Sequence, residues 1–205
     1  MFVSTSISTV AQLAIVLLTA LLLYWPLRGR ERPPFVTFLG LGSPRLIGLI
    51  VGCFLGFVAA AGVLAIPGMA AIAGGQGSVV HGIIASGLDL EAVTTLIVLA
   101  TVKTALSEEI FFRGLIAKRS VAWFGPVAGN AAQALVFGAV HFGLMLALRA
   151  GLLVAAAFGV FTTAMALTAS LLNERLGNST IWPGWAMHAT SNLVSYLWIA
   201  YKLHA

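Results

Sequence analysis

Residues 98–118 read VLATVKTALSEEIFFRGLIAK, an apolar run with Lys103, Glu108, Glu109 and Arg113 set inside it. The hydrocarbon core of a bilayer takes about 20 apolar residues of helix. The length and apolarity of this run therefore predict a transmembrane helix, from about Leu90 to Lys118. An ionisable group inside such a helix costs about 2.5–3.5 kcal/mol on insertion scales, and it persists when it is paired or lines a cavity. Glu109 and Arg113 are four residues apart, so they share a helix face and can pair. Glu108 is turned about 100° from Glu109 on an α-helix, and Lys103, five residues back, is a poor match for it. Pairing accounts for two of the charges and leaves Glu108 over.

The rest of the chain is of the same kind. Of its 205 residues, 60% are hydrophobic and 8% charged, too little charge to cover a soluble domain. The mean hydropathy is +1.03. Further spans are expected at about Thr9–Leu27, Leu46–Ile66, Pro126–Leu148, Gly151–Leu172 and Ile181–Tyr201. The fold expected is all-α, a polytopic transmembrane bundle of about six spans. The stretch Pro67–Leu88 is rich in glycine and holds no Lys or Arg; it reads equally as an outer loop or a half-buried segment. Residues 1–89 are expected to form N-terminal helices with that loop, and residues 90–205 a core of four spans. Met1–Thr9 carries no charged side chain and the apolar run after it is long, so a retained span is expected rather than a cleaved signal. The net charge of +5 resides mostly in short connections: Arg28, Arg30, Arg32 and Arg45, then Lys118-Arg119, then Glu174-Arg175. The positive-inside rule puts these in the cytoplasm and both termini outside. No aromatic-basic surface points to nucleic acid. Cys53, the single cysteine, excludes an intrachain disulfide.

Two more spans carry polar groups. The fourth holds Phe137 to His141, and the sixth holds His188 and Asn192, four apart and so on one face. Helical rise gives their heights above the cytoplasmic interface: about 15 Å for Glu108, 9 Å for His188, 15 Å for Asn192 and 22 Å for His141. His141 fits worst, yet tilt brings all four within reach. A carboxylate and an imidazole can share a water and take its proton. A second imidazole and an amide N–H can hold the oxyanion of a tetrahedral intermediate. That is the equipment of water-driven acyl hydrolysis. The plainer readings are a satisfied core histidine at His141 and cross-helix hydrogen bonds at His188 and Asn192.

Glu108-Glu109-Ile110-Phe111-Phe112-Arg113, then Phe137 to His141, then His188 to Asn192 resemble the EExxxR, FxxxH and HxxxN motifs of the CPBP family of intramembrane proteases. That family includes the type II CAAX prenyl endopeptidases and the bacterial Abi proteins. The resemblance covers roughly Leu90 to Tyr201. It implies an intramembrane endopeptidase of the glutamate or metallo type, multi-pass in a bacterial cell membrane, acting on a peptide or protein reached from the bilayer, lipidated or otherwise membrane-associated. It further implies that Glu108 and His141 activate water and that His188 and Asn192 stabilise the oxyanion, with Glu109 and Arg113 structural and tuning. Family members described as metalloproteases make zinc a candidate cofactor, for which Glu108, His141 and His188 are the ligand set. The sequence lacks HExxH, and the metal-free reading is preferred. A bacteriocin-immunity or binding protein without proteolysis is the alternative. A small transporter is a third reading, against which stands the absence of an inverted repeat.

Overall fold

The computed structural model describes residues 1–29, 33–76, 78–87 and 89–204, with backbone alone at 86 and 202–204. Arg30 and Arg32 of the basic loop, and the side chain of Lys202, lie outside the described residues. The protein is an all-α polytopic membrane protein, and no strand occurs among the described residues.

Among the described residues, four stretches are long and apolar enough to cross a bilayer. They are α1 (Phe2–Leu27), α3 (Leu46–Ala65), a 58-residue run Leu90–Ala147, and α8 (Leu152–Arg175). The long run doubles back on itself. Gly125 takes φ 80° and ψ 170°, a conformation that breaks a helix, and Pro126 opens the returning arm. Gly129 then passes so close to the backbone of Ser120 and Val121 that any side chain there would collide. The descending arm comprises α6 (Leu90–Ile97) and its continuation to Ala117; the returning arm lies in α7 (Lys118–Ala147). The last helix, α9 (Trp182–His204), closes the bundle.

The descending arm differs from the α-helix expected of it. Val98–Leu106 and Glu109–Ala117 are wound as π-helix, with Ser107 and Glu108 at the junction. The wider winding carries i→i+5 bonds and is rare outside functional sites. The Ser107 hydroxyl follows it, donating to the Val102 carbonyl five residues back at 3.4 Å.

Glycines decide which helices touch. A Cβ at Gly48 would come within 2.6 Å of the Leu176 carbonyl, and one at Gly56 within 2.6 Å of the Met187 carbonyl; Gly52 meets the Pro183 carbonyl closer still. This stripe lets α3 lie backbone to backbone against α9, as small residues do in membranes. Gly138 of α7 meets Gly159 and Thr163 of α8 in the same way.

The stretch left open as loop or half-buried segment holds two short helices, α4 (Met69–Ala73) and α5 (Val79–Ser86). Ser78 caps α5 by accepting from the His81 N–H. Val80 and Ile83 pack on Leu96 of α6 and Ile199 of α9. At one end of the bundle the connections interlock. Lys118 Nζ donates to the Ser179 carbonyl at 2.8 Å, the Ile181 N–H to the Gly40 carbonyl at 2.9 Å, and the Trp182 indole to the Gly42 carbonyl at 2.8 Å. The short helix α2 (Phe35–Phe38) lies in the first of these connections.

Candidate active site

A cavity of about 360 Å³ runs inside the bundle. Its walls are mainly apolar, with Met69, Ile72 and Val79 of the α4–α5 stretch among them, and Glu108, Glu109, Arg113, His141, His188 and Asn192 all line it. Three separate helical segments thus bring their polar groups to one place.

Glu109 is fully buried. Its Oε1 stands 3.2 Å from Arg113 Nη1 and 3.3 Å from His188 Nδ1. The i,i+4 pairing expected from the sequence is present, and a histidine from α9 joins it. The Arg113 guanidinium lies 4.2 Å over the Phe137 ring. That ring also contacts Phe112 edge-on at 4.8 Å, the His141 ring at 4.2 Å and the His188 ring at 6.2 Å. Phe137 is the hub of the site, positioning one cation and two imidazoles. The sequence marked it as part of a motif and gave it no role.

Glu108 sits beside this locked pair in a different state. Its Oε2 is buried without a hydrogen-bond partner. His141 Nε2 stands 3.7 Å from it and His188 Nε2 3.9 Å. Both separations exceed a direct hydrogen bond and suit a bridging water. Lys103, weighed as a partner for Glu108, instead donates from Nζ to Ser8 Oγ of α1 at 2.9 Å. His141 Nδ1 lies 2.9 Å from the Phe137 carbonyl. A carbonyl only accepts, so Nδ1 carries a proton and Nε2 is the ring nitrogen turned toward Glu108. His188 Nδ1 faces Glu109, so its Nε2 also faces Glu108.

Asn192 Nδ2, one helical turn beyond His188, is buried without an acceptor. Ser195 and Tyr196, three and four residues further on the same face, also line the cavity. Sequence reasoning passed over both, although the spacing from Asn192 was there to be used.

The fit to a metal follows from the donors. No group of three or more His, Cys, Asp and Glu among the described residues has the arrangement of a metal centre. The nearest set is Glu108 Oε2 with the two Nε2 atoms, at 3.7 and 3.9 Å from it. Donors about 2.0–2.1 Å from a tetrahedral zinc stand roughly 3.3–3.4 Å apart. The chemistry of the set suits zinc and its spacing is too wide, so no step below runs through a metal.

A bundle of apolar helices thus holds two carboxylates, two imidazoles and an amide around an internal cavity. The model of the family described as type II CAAX prenyl endopeptidase Rce1-like matches residues 90–194, just over half of the chain. The chain belongs to that family and is of the CAAX-type intramembrane protease class. No curated protein and no solved structure matches it.

Proposed function

We propose that the chain is an intramembrane endopeptidase that hydrolyses peptide bonds of membrane-associated or lipidated substrates with a water activated by Glu108 and His141. The observation that carries this reading is the buried Glu108 Oε2, unpartnered and facing two Nε2 atoms across water-sized gaps.

The reaction follows from these atoms. Glu108 takes one proton of the water, and His141 Nε2 accepts a hydrogen bond from the other. The hydroxyl oxygen attacks the scissile carbonyl carbon, and the carbonyl electrons become an oxyanion. Asn192 Nδ2 donates to that oxyanion, as does His188 Nε2–H. Collapse of the intermediate breaks the C–N bond, and Glu108 returns its proton to the leaving amine. Glu109 and Arg113 hold the His188 ring and the Phe137 hub in place. The apolar wall of the cavity receives the lipid-bearing or apolar part of the substrate. Residues 1–89 contribute the α3 face against α9 and the α4–α5 stretch over the cavity.

The test uses the purified full chain in liposomes with a fluorogenic lipidated peptide. Cleavage by the wild type, none by Glu108→Ala at equal helicity, and unchanged cleavage after chelation are expected. Hydrolysis retained in Glu108→Ala refutes the assignment. Loss on chelation, restored by zinc, refutes its metal-free form.

A further inference from the structure

Arg113 lines a second cavity as well, of about 330 Å³, at the end of the bundle where the basic connections interlock. Lys118, Arg119, Asn130 and Asn173 also line it, and Glu174 is the one carboxylate among its described lining residues.

The cations here outnumber the carboxylates. Arg113 is 3% exposed, and its Nε and Nη1 have no hydrogen-bond partner; the 3.2 Å approach of Nη1 to Glu109 is an ion pair without an aligned hydrogen bond. The Arg119 guanidinium lies 3.9 Å over the Phe38 ring, and its Nη1 is buried without a partner. Lys118 Nζ donates to a backbone carbonyl. Glu174 is exposed and accepts from Ser179 Oγ at 2.8 Å. With Glu109 set against Arg113, two cations face one rim carboxylate. A desolvated guanidinium with unused N–H groups is costly unless an anion meets it.

We infer that this cavity binds a phosphate group through Lys118 and Arg119. The forked guanidinium matches phosphate oxygens in pairs, and the ammonium adds a point charge. The basic end of a membrane bundle lies at headgroup level, where pockets between helices take anionic headgroups. The phosphate is that of an anionic phospholipid or a free phosphate. Either chemistry is independent of peptide hydrolysis in the other cavity.

The experiment is a thermal melt of the purified full chain in a zwitterionic detergent, titrated separately with phosphatidylglycerol, phosphatidylcholine and sodium phosphate. A saturable rise in Tm with phosphatidylglycerol or phosphate, and none with phosphatidylcholine, is expected. Phosphatidylglycerol alone acting identifies the lipid headgroup; phosphate alone acting identifies the free ion. Each cation is worth about fivefold in affinity, so Lys118→Gln with Arg119→Gln together raise the midpoint about 25-fold. Should the loss of Arg119 from the Phe38 face unfold the protein, Lys118→Gln alone raises it about fivefold. An unchanged midpoint in a folded variant overturns the inference. So does a response to phosphatidylcholine equal to that to phosphatidylglycerol, or no response to any of the three.

Discussion

The two faces of the π-wound descending arm both carry polar groups inside the membrane, and they treat them oppositely. On the face toward α1, Lys103 Nζ donates to Ser8 Oγ at 2.9 Å, and Gln12 Nε2 donates to the Lys103 carbonyl at 2.8 Å. On the face toward α9, Glu108 Oε2 and, across the cavity, Asn192 Nδ2 are buried and unpartnered. A satisfied polar group in a bundle is glue, of modest strength. An unsatisfied one is a cost to folding that chemistry can use, since only a reacting water or a developing oxyanion completes it. The distinction lies in the partners and is invisible in residue type alone.

The sharpest way to break this comparison is Glu108→Ala. Loss of the group that moves the proton is expected to lower the cleavage rate by about 10²–10⁴, with Tm unchanged or raised because a costly buried carboxylate oxygen is gone. Asn192→Ala comes next, at about 10²–10³ in kcat, the cost of one oxyanion donor. The effect should fall on kcat rather than KM, and a KM effect alone would move Asn192 to substrate binding. Glu109→Gln strikes the locked pair instead. It leaves Arg113 buried without its carboxylate and is expected to destabilise by about 3–5 kcal/mol, read as a lower denaturation midpoint. Lys103→Met on the opposite face should cost the least, about 0.6–1.7 kcal/mol and less than fivefold in rate. Abolished cleavage in folded Lys103→Met would erase the difference between the faces.

The α1 and α3 helices extend the lesson to packing. Both are apolar along their length, and hydropathy does not tell them apart. The α1 helix leaves Ile7, Val10 and Leu22 exposed and buries Thr5, Thr9 and Ala20. The α3 helix buries Gly48, Gly52 and Gly56 against the helix that carries His188 and Asn192. The sequence does not name the partner of this stripe, because a row of small residues fits any helix that can approach it.

Much of the rest was legible. The second span, expected at Leu46–Ile66, is Leu46–Ala65, and the pairing of Glu109 with Arg113 is in place. The height estimate placed His141 too far from Glu108 because it counted Glu108 from Lys118, whereas the helix runs on to the turn at Gly125, from which Glu108 and His141 stand 17 and 16 residues away. His188 was expected beside Glu108 alone, yet it faces both carboxylates. An α-helical rotation of about 100° per residue separates neighbouring side chains, and the wider winding around Glu108 is what the pattern did not carry.

The sequence by itself determined that this chain lives in a bilayer, where its long apolar helices run, and which seven residues have no business there unless they are paired or at work. Those facts follow from solvent transfer, a property of each residue summed over a span. Only the tertiary structure decided which of the seven are satisfied and which are left to react. Partnership depends on helix winding, on where glycines let backbones close up, and on a phenylalanine ring that seats two imidazoles and a guanidinium around two carboxylates.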